Sequence, residues 1–163
     1  MHATRLNGPG AVLLLGLIGT ASGAVTLPKE GSFDTNFCFS GTGESMPLTD
    51  KALAGSYRMF ATVQSIPPGG AFDQSASQCI GVYHMISGTT VETGYCDIVD
   101  ADGDKYLVRY SGDFKTGKLE ALTGTGKYEG MVLQGEYRVG HLPTTGPDRF
   151  YNCNRYSGKY KLR

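Results

Sequence analysis

His84 combines a residue type and a setting that suit acid–base chemistry. It falls in a run of β-branched and aromatic residues that predicts a strand. An imidazole changes charge near neutral pH, so a buried histidine can act as a general acid or base. The alternative is a hydrogen-bonded core histidine, because no acidic residue is obviously paired with it in the sequence. His141 is expected in a loop.

Other patterns that would identify a catalyst are absent from the sequence. There is no Gly-x-Ser-x-Gly motif, and no thiol remains free if all four cysteines pair. The stretch 124–130 lacks the Gly-Lys-Ser/Thr ending and the following helix of a phosphate-binding loop. We therefore identify no catalytic residues and expect no cofactor.

Three aspartates alternate within the segment 100–104 and could hold calcium. An EF-hand loop needs glycine at position 6 and glutamate at position 12. With Gly103 at position 6, Ile98 falls at position 1 and Arg109 at position 12, and neither fits. Asp-Gly is favoured in tight hairpin turns. We expect a turn and no metal site, with weak surface calcium binding as the alternative.

The first 24 residues have the features of a signal peptide. Arg5 precedes an apolar run at 11–18, and small residues follow. The run is shorter than the ~20 residues that a membrane-spanning helix requires. A retained membrane anchor or a disordered tail is the alternative. We expect cleavage after Gly23 or Ala24, a single domain at 25–163 without a membrane span, and a secreted or periplasmic location.

Composition limits the function classes. Lys plus Arg and Asp plus Glu both total 15, so the net charge is zero, which argues against a nucleic-acid-binding protein. An apolar content of 40% argues against disorder. The 24 glycines have no collagen-like period and indicate many tight turns. The chain is therefore expected to be a folded, turn-rich β protein.

Short runs rich in β-branched and aromatic residues alternate with Gly- and Pro-containing breakers, and no amphipathic helix stands out. Most breakers are short, which favours antiparallel neighbours. The pattern predicts eight strands, at about 33–40, 55–65, 79–87, 89–98, 105–111, 117–123, 131–139 and 149–161.

The cysteines are expected to form two disulfides, because their number is even and the chain is expected to be exported. Zinc binding is the alternative, although no Cys-x-x-Cys pair is present. A two-residue turn at 87–88 would place Cys79 opposite Cys96, within disulfide distance. Cys38 and Cys153 then pair by elimination, which would join the first strand to the last in a sheet that closes on itself.

The same register divides the third and fourth strands into two faces. The more apolar face is predicted to point inward and carries Ile80, Val82, His84, Ile86, Val91, Thr93 and Tyr95. Glu92 falls on the opposite face. Tyr57 and Met59 belong to the apolar face of the second strand. We predict that His84, Tyr95 and Tyr57 line one pocket, with His84 as its main polar contact.

A glycine-rich segment carries a resemblance to a known family. The stretch 122–130, followed by Gly-Glu-Tyr at 135–137, resembles the Gly-Gly-Thr-Gly-x-Phe-x-x-Ala-x-Gly signature of dirigent proteins and the allene oxide cyclase family. Thr123 replaces the first glycine, Tyr128 replaces the phenylalanine, and Gly135 comes later than in the signature. The turn at 100–104 resembles those of uncharacterised exported bacterial relatives of that barrel.

The resemblance implies an all-β, closed eight-stranded antiparallel barrel of the calycin-like type, often oligomeric and with a ligand cavity. The family's functional residues do not match this sequence one by one, so no catalytic role is transferred. Three functions remain open: binding of a small hydrophobic ligand, cyclisation or isomerisation of a hydrophobic substrate, and a structural or interaction role at the cell envelope with a filled barrel. Oligomer contacts or a covering loop would explain apolar residues on both strand faces.

Overall fold

The computed structural model describes residues 27–140 and 149–163. Eight antiparallel strands form a closed barrel in which each strand pairs with its neighbours in sequence and the last pairs with the first. The predicted all-β barrel is confirmed. The strands are β1 (Glu30–Thr49), β2 (Ala52–Ser65), β3 (Ser75–Ile86), β4 (Thr89–Val99), β5 (Lys105–Gly112), β6 (Thr116–Gly124), β7 (Val132–Arg138) and β8 (Arg149–Lys161).

The predicted signal peptide and His141 lie outside the described residues. Within those residues the helical structure is one 3₁₀ turn, Gly126–Tyr128. No helix in the described part of the chain has the length and hydropathy needed to cross a membrane.

β1 is longer than the sequence predicts. The segment 41–49 contains glycines and a proline and was expected to break the strand, yet it continues β1 and pairs with β2 as far as Thr49 opposite Ala52. Main-chain pairing with the neighbouring strand therefore overrides the turn-like composition. The result is a long β1–β2 hairpin with the exposed side chains of Met46 and Leu48 near its tip.

Both predicted disulfides are present. β3 and β4 pair in the register that a turn at 87–88 dictates, and Cys79 lies directly opposite Cys96 with a Cα–Cα distance of 4.1 Å. Cys38 of β1 lies opposite Cys153 of β8, with a Cα–Cα distance of 3.9 Å. The second bridge crosses the junction at which the barrel closes.

One end of the barrel is filled by an aromatic cluster, here called the plug. Phe72, in the loop between β2 and β3, lies at its centre, and its ring centroid is 5.2 to 6.0 Å from those of its neighbours. The carboxylate of Asp73 accepts hydrogen bonds from the backbone N–H groups of Ser65 and Gly69, both at 2.7 Å, which holds this loop in place. The plug comprises Phe33, Phe72, Tyr106, Tyr128 and Tyr160.

The turn at 100–104 is a hairpin turn, as predicted. The carboxylate of Asp100 accepts the backbone N–H groups of Asp102 and Asp104 at 2.9 and 3.1 Å. The Lys127 ammonium lies 2.7 Å from the same carboxylate, and the Tyr128 hydroxyl donates to it at 2.9 Å. The turn thus fastens the 3₁₀ segment over the plug.

Candidate functional site: an aromatic cavity with a buried glutamate

A cavity of about 580 Å³ lies inside the barrel at the end opposite the plug. The rim of this end includes Glu44, Ser45, Phe114 and Arg149. Aromatic side chains make up half of the lining residues, a composition expected of a small-molecule site. The aromatic lining residues are Phe39, Tyr57, Tyr83, Tyr110, Phe114, Tyr137, Phe150, Tyr151 and Tyr156.

Glu92, on β4, is the buried charged side chain of this cavity, with 6% of its surface exposed. The Tyr57 hydroxyl donates a hydrogen bond to one carboxylate oxygen at 2.8 Å, and the Tyr137 hydroxyl donates to the other at 2.5 Å. The Tyr110 hydroxyl donates in turn to that of Tyr57 at 2.8 Å. Three tyrosines from β2, β5 and β7 therefore form one hydrogen-bond network around the carboxylate.

Two opposed glycines leave space for this network. Gly81 of β3 faces Gly94 of β4. A Cβ atom on Gly94 would lie 2.2 Å from the Tyr110 hydroxyl oxygen, and one on Gly81 would lie 2.4 Å from the Tyr57 ring. Atoms that are not bonded to each other do not come this close. Tyr110 and Tyr57 can therefore occupy their places in the network only because residues 94 and 81 have no side chain.

Burial sets the protonation of the tyrosines. Loss of hydration raises the pKa of Tyr57 far above its usual range, and the neighbouring Tyr110 and Glu92 raise it further. Burial likewise raises the pKa of Tyr110, and burial with the Glu92 hydrogen bond raises that of Tyr137. The three hydroxyls therefore keep their protons at neutral pH: Tyr57 and Tyr137 donate to the carboxylate, and Tyr110 donates to Tyr57.

Among the three predicted pocket residues, only Tyr57 lines the cavity. His84 is exposed on the outside of the barrel, and Tyr95 is 44% exposed there. The prediction that their face points inward is wrong, and so is the placement of Glu92 outside. The inward face of β3 and β4 carries the buried Cys79 and Cys96 instead.

The error has a physical reason. The prediction assigns the face with more apolar residues to the interior, but β-branched side chains favour strands on either face and apolar atoms are common on protein surfaces. The inner face holds small residues and a glutamate because large rings from other strands fill the space beside them. Two features of the sequence indicate the correct inner face. Cysteines are among the most buried residues, and a pair of opposed glycines marks a place where other side chains approach the backbone closely.

Sequence reasoning missed Glu92, Tyr110 and Tyr137 as site residues. Each lies on a different strand, and these residues are distant in sequence. Only the register of the barrel brings them together. Tyr110 lies opposite Gly94, and Tyr137 lies opposite Gly117. A tyrosine opposite a glycine on a neighbouring strand is the sequence feature that could have revealed them once the register was known.

The cavity can bind an apolar body and accept a hydrogen bond. A carboxylate has about four lone-pair sites, and two are used by Tyr57 and Tyr137, so Glu92 can accept from a further donor. Asn154, buried at the wall, adds an amide group. Among the described residues, no group of three or more His, Cys, Asp and Glu side chains is arranged to hold a metal ion.

The solved structures that resemble this barrel include those of two pterocarpan synthase dirigent proteins. PsPTS1 matches with a TM-score of 0.54 and 11% sequence identity over 84% of this chain and 97% of its own. GePTS1 matches with a TM-score of 0.52 and 11% sequence identity, and the match covers 99% of this chain and 100% of GePTS1. No protein-family model and no curated protein matches the sequence.

These matches establish a dirigent-like fold, in agreement with the resemblance read from the glycine-rich segment. At 11% identity the likeness concerns the fold.

Proposed function

We propose that the protein binds a small, mainly apolar molecule in the barrel cavity, with an O–H or N–H group of that molecule donating to Glu92. The observation that carries the proposal is a buried carboxylate within an aromatic wall. Burying a charge is costly unless it is well hydrogen-bonded. A barrel that served only as a scaffold would be expected to fill this space with apolar side chains.

The size of the cavity and the fold both support ligand binding. Its volume of about 580 Å³ falls within the range of small-molecule sites. The two structural neighbours are named as synthases, so a barrel of this kind is compatible with handling small molecules. The third alternative, a filled structural barrel, has no comparable support.

Native mass spectrometry of protein purified from its source tests the proposal. We expect a bound small molecule that dissociates on denaturation. Glu92→Gln should weaken its retention, whereas Glu120→Gln, on the outer wall in an ion pair with Arg109, should not. Ligand-free protein from source, together with no binding in a screen of apolar alcohols and amines, would contradict the proposal.

A second function, cyclisation or isomerisation, is favoured by the chemistry of Glu92. A carboxylate beside two tyrosine hydroxyls can accept a proton from a bound substrate and return it elsewhere. Incubating the recovered molecule with the protein and following its chromatographic retention would detect an isomer of equal mass. A catalytic role predicts that Glu92→Gln retains some binding but loses conversion. If the wild-type protein leaves the molecule unchanged, only binding remains.

We also propose that the chain is exported and cleaved after Gly23 or Ala24. Two disulfides fit an oxidising compartment. Intact-mass analysis of protein from the cell envelope or medium should give a chain beginning at Ala24 or Val25. A mass that includes residues 1–23 would contradict it.

We also propose that the protein forms a homo-oligomer through an exposed apolar surface on the outside of β2–β4, here called the outer apolar wall. This wall consists of the side chains of Phe60, Ile80, Val82, Val91 and Tyr95. Contiguous exposed apolar side chains on one face are typical of interaction surfaces. The adjoining charges of β4–β6 are neutralised in pairs, Asp97 with Lys105 and Arg109 with Glu120, so apart from Arg58, which lies opposite Ile80, the wall offers an apolar face to a second copy. Sedimentation analysis should show self-association that Val82→Lys abolishes; a wild-type monomer at high concentration would exclude it.

A further inference from the structure

Among the described residues, no cationic side chain compensates the Glu92 carboxylate. Within residues 27–140 and 149–163, no Lys, Arg or His nitrogen lies within 4.0 Å of it. The other charged residues that the structure describes along the cavity are Glu44 and Arg149, at the rim and of opposite sign. The charges of these two rim residues cancel, so Glu92 is the charged group of the cavity interior.

Two hydroxyl groups face the carboxyl group of Glu92. Its oxygens lie 2.8 Å from the Tyr57 hydroxyl and 2.5 Å from the Tyr137 hydroxyl. Hydrogen bonds from such donors favour the charged form of a carboxyl group, which can act only as an acceptor. Tyrosine hydroxyls supply dipoles and no full positive charge, so the negative charge remains for a ligand to neutralise.

The wall around this charge is suited to a cation. Aromatic rings present a negative face, and a cation within about 6 Å of a ring centroid is attracted to it. Tyr57 combines both features, because it lines the cavity and donates to Glu92. A carboxylate surrounded by aromatic side chains is the arrangement that selects an organic ammonium ion over a neutral molecule of equal size.

We infer that the ligand of this cavity is an organic ammonium ion, with a protonated amine donating to Glu92 and an apolar body packed against the aromatic wall. The inference rests on the proposed function and specifies its ligand class. An anionic ligand is disfavoured by the same charge, because like charges inside a cavity repel strongly at low dielectric.

Calorimetric titration with two matched probes tests the inference. Naphthylmethylamine is protonated at neutral pH, and naphthylmethanol has nearly the same shape without the charge. We expect the amine to bind roughly tenfold or more tightly than the alcohol, since hydrogen bonds between charged groups are about twice as strong as neutral ones. Glu92→Gln should remove most of that difference, and the matched control Glu120→Gln should preserve it.

The outcomes separate this inference from the proposed function. If the alcohol binds as tightly as the amine, the ammonium inference is wrong and small-molecule binding stands. If neither probe binds to protein that circular dichroism shows to be folded, both fail for this ligand class. Should Glu92→Gln not fold, the amine–alcohol difference in the wild-type protein decides alone.

Discussion

At the residue scale, Gly94 determines whether the hydroxyl network can form. A Cβ atom there would lie 2.2 Å from the Tyr110 hydroxyl oxygen and 2.4 Å from the backbone carbonyl oxygen of Ile80. We predict that Gly94→Ala displaces Tyr110 and lowers the free energy of unfolding by about 2 kcal/mol, the usual cost of overpacking. Urea denaturation measures this loss.

A strand glycine with more space provides the control for that prediction. A Cβ atom on Gly31 would lie 3.0 Å from the flexible hydroxyl end of Tyr160. Gly31→Ala should therefore change stability much less than Gly94→Ala. Equal effects of the two substitutions would mean that the approach of Tyr110 does not explain the glycine at position 94.

The buried tyrosines predict how stability depends on alkaline pH. Burial raises the pKa of Tyr110 above its usual value, whereas in the unfolded chain its hydroxyl ionises near pH 10. The unfolded state therefore loses its proton first, and stability falls as pH rises above about 10. Each such tyrosine contributes about 1.4 kcal/mol per pH unit in that range.

Urea midpoints between pH 9 and 11 should show this fall, and Tyr110→Phe should make it shallower by the contribution of one group. Absorbance near 295 nm would show the matching delay of tyrosine ionisation in the folded protein. Identical pH slopes for the wild-type and Tyr110→Phe proteins would contradict the assignment of Tyr110 as a buried, protonated donor.

At the scale of elements, the β4–β5 turn is expected to contribute stability that acid removes. Burial raises the pKa of Asp100, but hydrogen bonds and the charge of Lys127, with the Tyr128 hydroxyl, outweigh it and hold that pKa below its usual value. The contribution is thus present above about pH 4 and is lost as pH falls through the lower folded pKa.

Asp100→Asn should lower the free energy of unfolding by roughly 2 kcal/mol at neutral pH, because the Asp100 side chain is only 6% exposed and accepts charged hydrogen bonds. The difference from wild type should shrink at pH 2 to 3. Asp97→Asn is the control: its ion pair with Lys105 is exposed and 3.9 Å long, so its loss should cost under about 0.5 kcal/mol. A pH-independent effect of Asp100→Asn would contradict this origin.

The β3–β4 hairpin shows what a sequence can and cannot predict about an element. Its register follows from the turn at 87–88 alone, and the pairing of Cys79 with Cys96 follows from the register. Which face points inward does not follow, because alternation is symmetric between the two faces. That choice depends on rings from β2 and β5 that enter the space beside Gly81 and Gly94. The inverted face is the reason that His84 was favoured over Glu92.

At the scale of the whole molecule, the Cys38–Cys153 bridge joins strands 115 residues apart in sequence. In the chain-entropy model, closing a loop of this length with a disulfide stabilises the folded state by about 4–5 kcal/mol. We predict that Cys38→Ser with Cys153→Ser lowers the free energy of unfolding by about that amount. Both residues are half-buried on the outer side, so substitution leaves little cavity and the measurement reports closure.

Guanidinium denaturation of this double variant tests the closure argument. Its cavity should still bind the probes used above, because the bridge lies on the outer side of the wall. A loss of less than about 2 kcal/mol would contradict the closure argument, because the bridge would then constrain the unfolded chain far less than the chain-entropy model predicts.

The overall architecture was largely predictable, and the site within it was not. Strand number, antiparallel order and both disulfides follow from local turn signals and from the cysteines. The site depends on contacts between β2, β4, β5 and β7, which are distant in sequence. Tyr57 was placed correctly because the pattern of β2, with Met59 on the same face, is not ambiguous.

Both ends of the described chain lie at the plugged end of the barrel. The backbone N–H of Leu162 donates to the carbonyl of Lys29 at 2.7 Å, and Gly31 lies opposite Tyr160. An attachment point close to Lys29 or Leu162 would therefore hold the molecule with its rim turned toward the solution. Immobilised there, the protein would present its cavity in one orientation, as a uniformly oriented sensor surface requires.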